Sequence, residues 1–398
     1  MKKIFTNQLM LVLFFGAIMW GMSFRTPMWM DEYVFYKLAL NFPDYAATSD
    51  WFFVDRPAML SPNINWEEKG FDRREMFSIV YDTPIYPHTP LMPIIFSPLV
   101  KGLNFLADNE VLPHIEEETG YPADASNNPV AFQAMKAEVI TNILRVISIV
   151  TVMLTLWLIY KIMEHKTGKS AFWFALPIST GVMMLYGAFL FYWDAFMMLF
   201  FVLTLYLMEV KPHSKWKYVT ACCLVNTKMF LGIAFLFPLF VKASVDEIQT
   251  GWKWPIPGYK MALPILSIIP FYIATVIVTG NPIYLYEHYI AQVPIHDFIY
   301  TLNSTKDYLI ILFNLGMYWF IPMTLPVVYY IKKYPAYVIF WAMSMFYAWA
   351  TGLGITHTST MVYSGALVVP LLVHEWGIVE KAKGLVGKAK LLLNRERA

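Results

Sequence analysis

The stretch YVTACCLVNTKMFLGIAFLFPLFVK occupies residues 218–242 and decides how the chain threads. It is apolar and longer than the roughly 20 residues a helix needs to cross a hydrocarbon core. Near its middle stands Lys228. A single crossing would leave that ammonium deep in the membrane, where charges are costly and usually functional; the plainer alternative is a lysine that only snorkels to the surface. The flanks choose between these. KPHSKWK (211–217) precedes the stretch, and Lys242 and GWKWPIPGYK (251–260) follow it. Lysine-rich loops stay in the cytoplasm, so both ends belong on one side. A hairpin of two short helices meets that demand, with its tip at NTK (226–228) and Lys228 turned toward the opposite face.

Working outward, the composition agrees with a membrane protein. Of 398 residues, 58% are hydrophobic and 15% charged, against about 25% charged in a soluble domain. A net charge of +2 excludes a nucleic-acid binder read from charge alone. Cys222 and Cys223 are adjacent inside an apolar run and read as packing residues, with no metal-type spacing. MKK and the apolar run to residue 24 lack a small-residue cleavage pattern, so they read as a first transmembrane helix and not a signal peptide.

The same lysine rule predicts spans near 138–160, 171–190, 194–210, 261–279, 307–331, 336–353 and 360–379, with both termini cytoplasmic. Eight full spans and the 218–242 hairpin make an all-α polytopic membrane protein of one domain, 1–398. Residues 25–137 then form a large first extracytoplasmic loop. Within it PHTPLMPIIFSPLVKGLNFL (87–106) reads as one or more interfacial helices, interrupted by Pro90, Pro93 and Pro98. The basic segment 380–398 is a cytoplasmic tail. This threading gathers Asp31, Glu32, His88, Asp194, Lys228, Glu287, His288 and His357 at the outer face.

The order of these signals resembles the GT-C glycosyltransferases, the group of the protein O-mannosyltransferases and the lipid A aminoarabinose transferases. MDEYVFYKLALN (30–41) is similar to the acidic motif after the group's first helix. YPHTPLMPIIF (86–96) is similar to its His-Pro-Pro-Leu stretch, with Thr89 at the first proline. ITNILRVISIVTVMLTLWLIYKI (140–162) resembles its second span, with Arg145 at the arginine position. LFYWDAFMMLF (190–200) resembles the second acidic site, VNTKMFLGIAFLFP (225–238) the Thr-Lys hairpin, and TGNPIYLYEHYIAQ (279–292) a loop common in the group. The group's late Arg-Tyr motif is absent; GITHTSTMVYSG (354–365) offers His357 as its basic residue.

The resemblance implies a GT-C-like transmembrane bundle. It also implies transfer of a sugar from a polyprenyl phosphate (dolichyl phosphate in some members) to a lipid, glycan or protein acceptor on the outer face, with inversion. Such chemistry needs a base for the acceptor proton and cations at the departing phosphate. Asp31 is the expected base and Glu32 its competitor, while both also suit a solvated helix start. Asp194 is expected to bind acceptor or metal, or to cap the helix that follows. With Asp31 it could hold Mg²⁺ or Mn²⁺ through oxygen ligands. Lys228 is the expected first cation for the phosphate. Arg56, Arg73, Arg74, Lys37, His88, Tyr286 and His357 are further candidates; Glu287 and His288 suggest a pair. A transporter of lipid-linked sugars would also carry polar residues among apolar helices, but near the midplane and between repeats, and no repeat is visible. A catalytically inactive GT-C-like lipid-binding protein is the other alternative.

Overall fold

The structure is a computed structural model. It describes residues 16, 30–46, 84–86, 88–113, 139–168, 191–251, 256–287, 323–350, 355–378, 380–381 and 384–385. The fold is helical, with no strand among the described residues. The helices are α1 (Met30–Asn41), α2 (Leu91–Asp108), α3 (Val139–Thr167), α4 (Trp193–Val210), α5 (Trp216–Val225), α6 (Met229–Gln249), α7 (Tyr259–Thr279), α8 (Pro335–Ala350) and α9 (Ile355–Glu375). Five of them, α2, α3, α4, α6 and α7, are long and apolar enough to cross a membrane. The chain is an all-α, membrane-embedded protein. The expected spans at 171–190 and most of 307–331 lie outside the described residues. Of the expected first helix only Gly16 is described; it is helical and packs beside Met153 of α3.

Helix α4 is the axis of the bundle. It is apolar nearly all round, the pattern of a helix surrounded by protein, and it packs on α3, α5, α6 and α9. Phe201 stacks on Phe340 of α8, ring centroids 4.2 Å apart, and meets Phe235 of α6 edge-on. Thr204 donates to Thr220 of α5 at 2.8 Å. At one end of the bundle, the lysine end, Glu209 of α4 pairs with Lys166 of α3 at 3.0 Å and accepts from Tyr337 of α8 at 2.8 Å. Lys242 of α6 lies 3.7 Å from the same carboxylate. Close by in sequence, Lys333 and Tyr334 both bond Glu375, the last residue of α9. Burial and that carboxylate push the Tyr334 hydroxyl up to about 12, so it donates at neutral pH. The opposite end holds the buried polar residues described below and is called the site end.

These contacts fix relative directions. α3, α4, α6 and α9 run from the site end to the lysine end; α5 and α8 run back. Residues 216–249 are therefore a helical hairpin, α5 then α6, and its tip is Asn226–Lys228; α5 is short, as expected, but α6 has 21 residues and ranks with the candidate spans. Gly232 makes the close approach possible. A Cβ there would strike the Leu224 carbonyl oxygen and sit 2.8 Å from the Val225 Cα. Both are backbone atoms, so the arms would have to separate. Gly232→Ala is expected to cost about 1–3 kcal/mol, the usual range for overpacking, read as a lower thermal midpoint in detergent. An unchanged midpoint would show that the arms tolerate a methyl group.

One expectation is corrected. Pro93 and Pro98 do not interrupt α2, which runs unbroken from Leu91 to Asp108 after an N-cap at Pro90. Pro93 stands in the first turn, where the missing N–H had no helical partner, and Pro98 forfeits one interior bond. By length and composition α2 ranks with the candidate spans. Its contacts lie on α1 and on Phe191 and Phe196 at the start of α4. The expected span at 261–279 is a helix from Tyr259, but residues Leu263–Ile268 tighten to 3₁₀. Pro264 and Pro270 lack the donors that α-helical bonding would use there.

Candidate functional site

The site is built on four short pieces of chain that meet at the site end. These are the start of α1, residues 84–86 and 88–90, the Phe191–Asp194 entry to α4, and the hairpin tip, with Arg145 of α3 and Tyr347 of α8 reaching in.

Glu32, the third residue of α1, is fully buried, and so is Arg145 of α3. The guanidinium grips the carboxylate with two parallel bonds: Nε donates to Oε1 at 2.9 Å, and Nη2 to Oε2. That forked geometry suits arginine, not lysine. The Phe191 backbone N–H also donates to Glu32 Oε1, at 2.7 Å. The pair thus ties α1, α3 and the entry to α4 together. Glu32 was expected to compete for the role of base; its carboxylate is instead committed to Arg145.

Three residues beyond Phe191 stands Asp194. It is not the cap of α4: Tyr192 holds the N-cap position, and Asp194 lies in the first turn, where the helix dipole favours an anion. It is buried, and Lys228 Nζ from the hairpin tip donates to its Oδ1 at 3.0 Å. Tyr347 of α8 closes the triangle. Its hydroxyl accepts from Lys228 Nζ at 2.9 Å and donates to Asp194 Oδ2 at 3.2 Å. The ammonium also lies 4.7 Å from the ring centre of Tyr192, a favourable cation–π distance. Tyr363 of α9, buried, is within electrostatic reach of Asp194.

Between the two ion pairs lies an aromatic wall. Trp193 is fully buried, with Phe35 at 4.4 Å between ring centres, Tyr86 stacked almost parallel at 5.9 Å and His88 edge-on at 5.5 Å. Among the described residues the Trp193 indole N–H has no hydrogen-bond partner. Thr89 bonds the Asn226 carbonyl, which seats the 88–90 segment on the hairpin tip. Tyr45 in turn hydrogen-bonds the Thr89 carbonyl at 3.4 Å.

The structure therefore gathers Glu32, His88, Asp194 and Lys228 out of the residues marked from sequence. Lys37 is half-buried further along α1. Tyr286 is exposed, just past α7, in a short helical stretch over 284–287 where Asn281 bonds Glu287 at 2.5 Å; His288 lies outside the described residues. So do Arg56, Arg73 and Arg74, and the side chains of Asp31 and His357. The backbones of those last two belong to α1 and α9.

Asp194 does not suit a divalent cation. An ammonium already sits 3.0 Å from its Oδ1, and a metal there would face that charge directly. Among the described residues no group of three or more His, Cys, Asp and Glu side chains gathers.

Two site residues were not read from the sequence in these roles. Arg145 carried a signal, because an arginine inside an apolar run needs an anionic partner. Tyr347 carried none, since a tyrosine in an apolar helix reads as core. Comparison with family models, with curated proteins and with solved structures returned no match.

Proposed function

We propose that the protein is a glycosyltransferase of the GT-C type that takes its sugar from a polyprenyl phosphate. One observation supports this above the others. Glu32, His88, Arg145, Asp194 and Lys228 are spread over nearly 200 positions of sequence, carry the motifs that resemble that group, and converge at one end of a membrane bundle. A donor with a lipid tail in the bilayer and a charged head at its surface needs its chemistry there.

Each residue then has a role. Lys228 is the cation for the leaving phosphate, held ready by Asp194 and Tyr347, and an arginine of the first loop (Arg56, Arg73 or Arg74) assists. Arg145 and Glu32 are positioning residues, because their charges are spent on each other. Asp31, about 100° round the α1 axis from the anchored Glu32, is the base. It accepts the proton of an acceptor hydroxyl as that oxygen attacks the anomeric carbon. The bond from that carbon to the phosphate oxygen breaks, and the phosphate leaves with the electron pair. In-line displacement inverts the anomeric configuration.

The test is transfer from a radiolabelled lipid-linked sugar in reconstituted vesicles. Lys228→Ala is expected to weaken donor binding and slow transfer together, since the cation serves ground and transition states alike. A loss of about 10²-fold in kcat/KM corresponds to one strong phosphate contact. A protein that carries the lipid-linked sugar across the bilayer without transferring it would be a transporter, and the reading would fall.

A further inference from the structure

The lysine end carries a surface of its own, independent of the chemistry at the other end. The turn KPHSKWK (211–217) joins α4 to α5 and is well formed: Ser214 N–H donates to the Lys211 carbonyl at 2.9 Å, and Lys217 Nζ donates to the Pro212 carbonyl at 2.6 Å. It presents Lys211 and Lys215 to the outside, with Trp216 between lysines and 67% exposed. Lys217 lies 5.5 Å from the Tyr218 ring centre and within electrostatic reach of Lys260, at the start of α7. Lys260 in turn lies 5.9 Å from the Tyr259 ring centre.

The nearby acids offset part of this charge, Asp246 and Glu247 both lying within electrostatic reach of Lys217. Asp246 bonds Lys242 through both oxygens at 2.6 Å, and Glu247 accepts the Gly258 N–H at 2.6 Å. Glu209 is shared between Lys166 and Lys242. What remains is a cluster of cations, interleaved with an exposed indole and phenols, at the end of an apolar bundle. Indoles and phenols favour the level of the lipid headgroups, and lysines beside a membrane attract anionic lipid.

We propose that the 211–217 turn, together with Lys260, is a binding seat for the headgroup of an anionic phospholipid. Lys211 and Lys215 meet the phosphodiester, and Trp216 lies at the level of the ester bonds. The bundle is thereby anchored at a fixed depth, and anionic lipid stabilises the folded state by mass action.

The experiment is thermal unfolding of the detergent-solubilised full chain, titrated with phosphatidylglycerol, phosphatidylcholine or glycerol 1-phosphate. Phosphatidylglycerol is expected to raise the midpoint, and the other two to leave it in place. Each lysine contributes about fivefold to affinity near an anionic surface. The exposed pair K211Q/K215Q should therefore raise the half-saturating phosphatidylglycerol concentration about 25-fold, with its lipid-free midpoint unchanged. Equal shifts from both phospholipids would overturn the proposal, and so would a change under twofold in the double variant. An equal shift from glycerol 1-phosphate would make this a free-phosphate site and overturn it too.

Discussion

Arg145→Met is expected to destabilise the protein by about 3–5 kcal/mol, the cost of leaving a buried charge without its partner. Glu32 is fully buried and receives two bonds from that guanidinium. Take the guanidinium away and the carboxylate loses its counter-charge in a buried setting, with the Phe191 N–H still donating to it. It must then stay charged at great expense or take up a proton. The double variant Glu32→Gln/Arg145→Met removes both charges and keeps an oxygen for the Phe191 N–H. It is expected to be more stable than Arg145→Met alone, because replacing a buried pair with neutral groups is often nearly neutral. Denaturant unfolding of the parent, the single variants Arg145→Met and Glu32→Gln, and the double variant in one detergent gives the coupling energy directly. If Arg145→Met came within 1 kcal/mol of the parent, or the double variant were no better than the single, the pair would not be the strut described here.

How much of this was legible before the coordinates depends on the kind of information. The hairpin was legible, because the lysines before 218 and after 242 demand the same side and one crossing cannot supply it. The placement of Lys228 near Asp194 at one bundle end follows from that same threading. Pairing was not legible. Glu32 and Arg145 stand 113 residues apart, and no periodicity reports which acid reaches which base. Position beside Asp31 suggests a shared chemical role for Glu32, and its burial against Arg145 is visible only in the fold. Tyr347 was hidden for another reason. Along α8 it is one aromatic among several, and only the approach of α8 to α4 and the hairpin tip turns its hydroxyl into a partner of both Lys228 and Asp194. The continuity of α2 is not legible from the prolines alone, because their effect depends on where in the helix they fall. A first-turn Pro93 costs no helical bond, and one interior proline is tolerated among neighbouring helices.

The second large effect concerns Asp31. Asp31→Asn is expected to lower turnover by about 10²–10⁴, the usual loss when a general base is removed. Asparagine keeps the size and much of the hydrogen bonding but cannot take the acceptor proton. The change lies one residue from Glu32, yet it replaces no member of the Glu32–Arg145 pair or of the Lys228–Asp194–Tyr347 triangle. Stability and binding of the lipid-linked donor should therefore stay near those of the parent, so that kcat falls and the donor affinity does not. This separates the proposed base from Lys228, whose removal should weaken both.

The most direct measurement of the central claim is single-turnover transfer from a radiolabelled lipid-linked sugar, with parent and Asp31→Asn proteins in matched vesicles. The account predicts transfer by the parent, with donor bound equally by both proteins and the rate lower by about 10²–10⁴ in the variant. Near-parental transfer by a folded Asp31→Asn protein would contradict it.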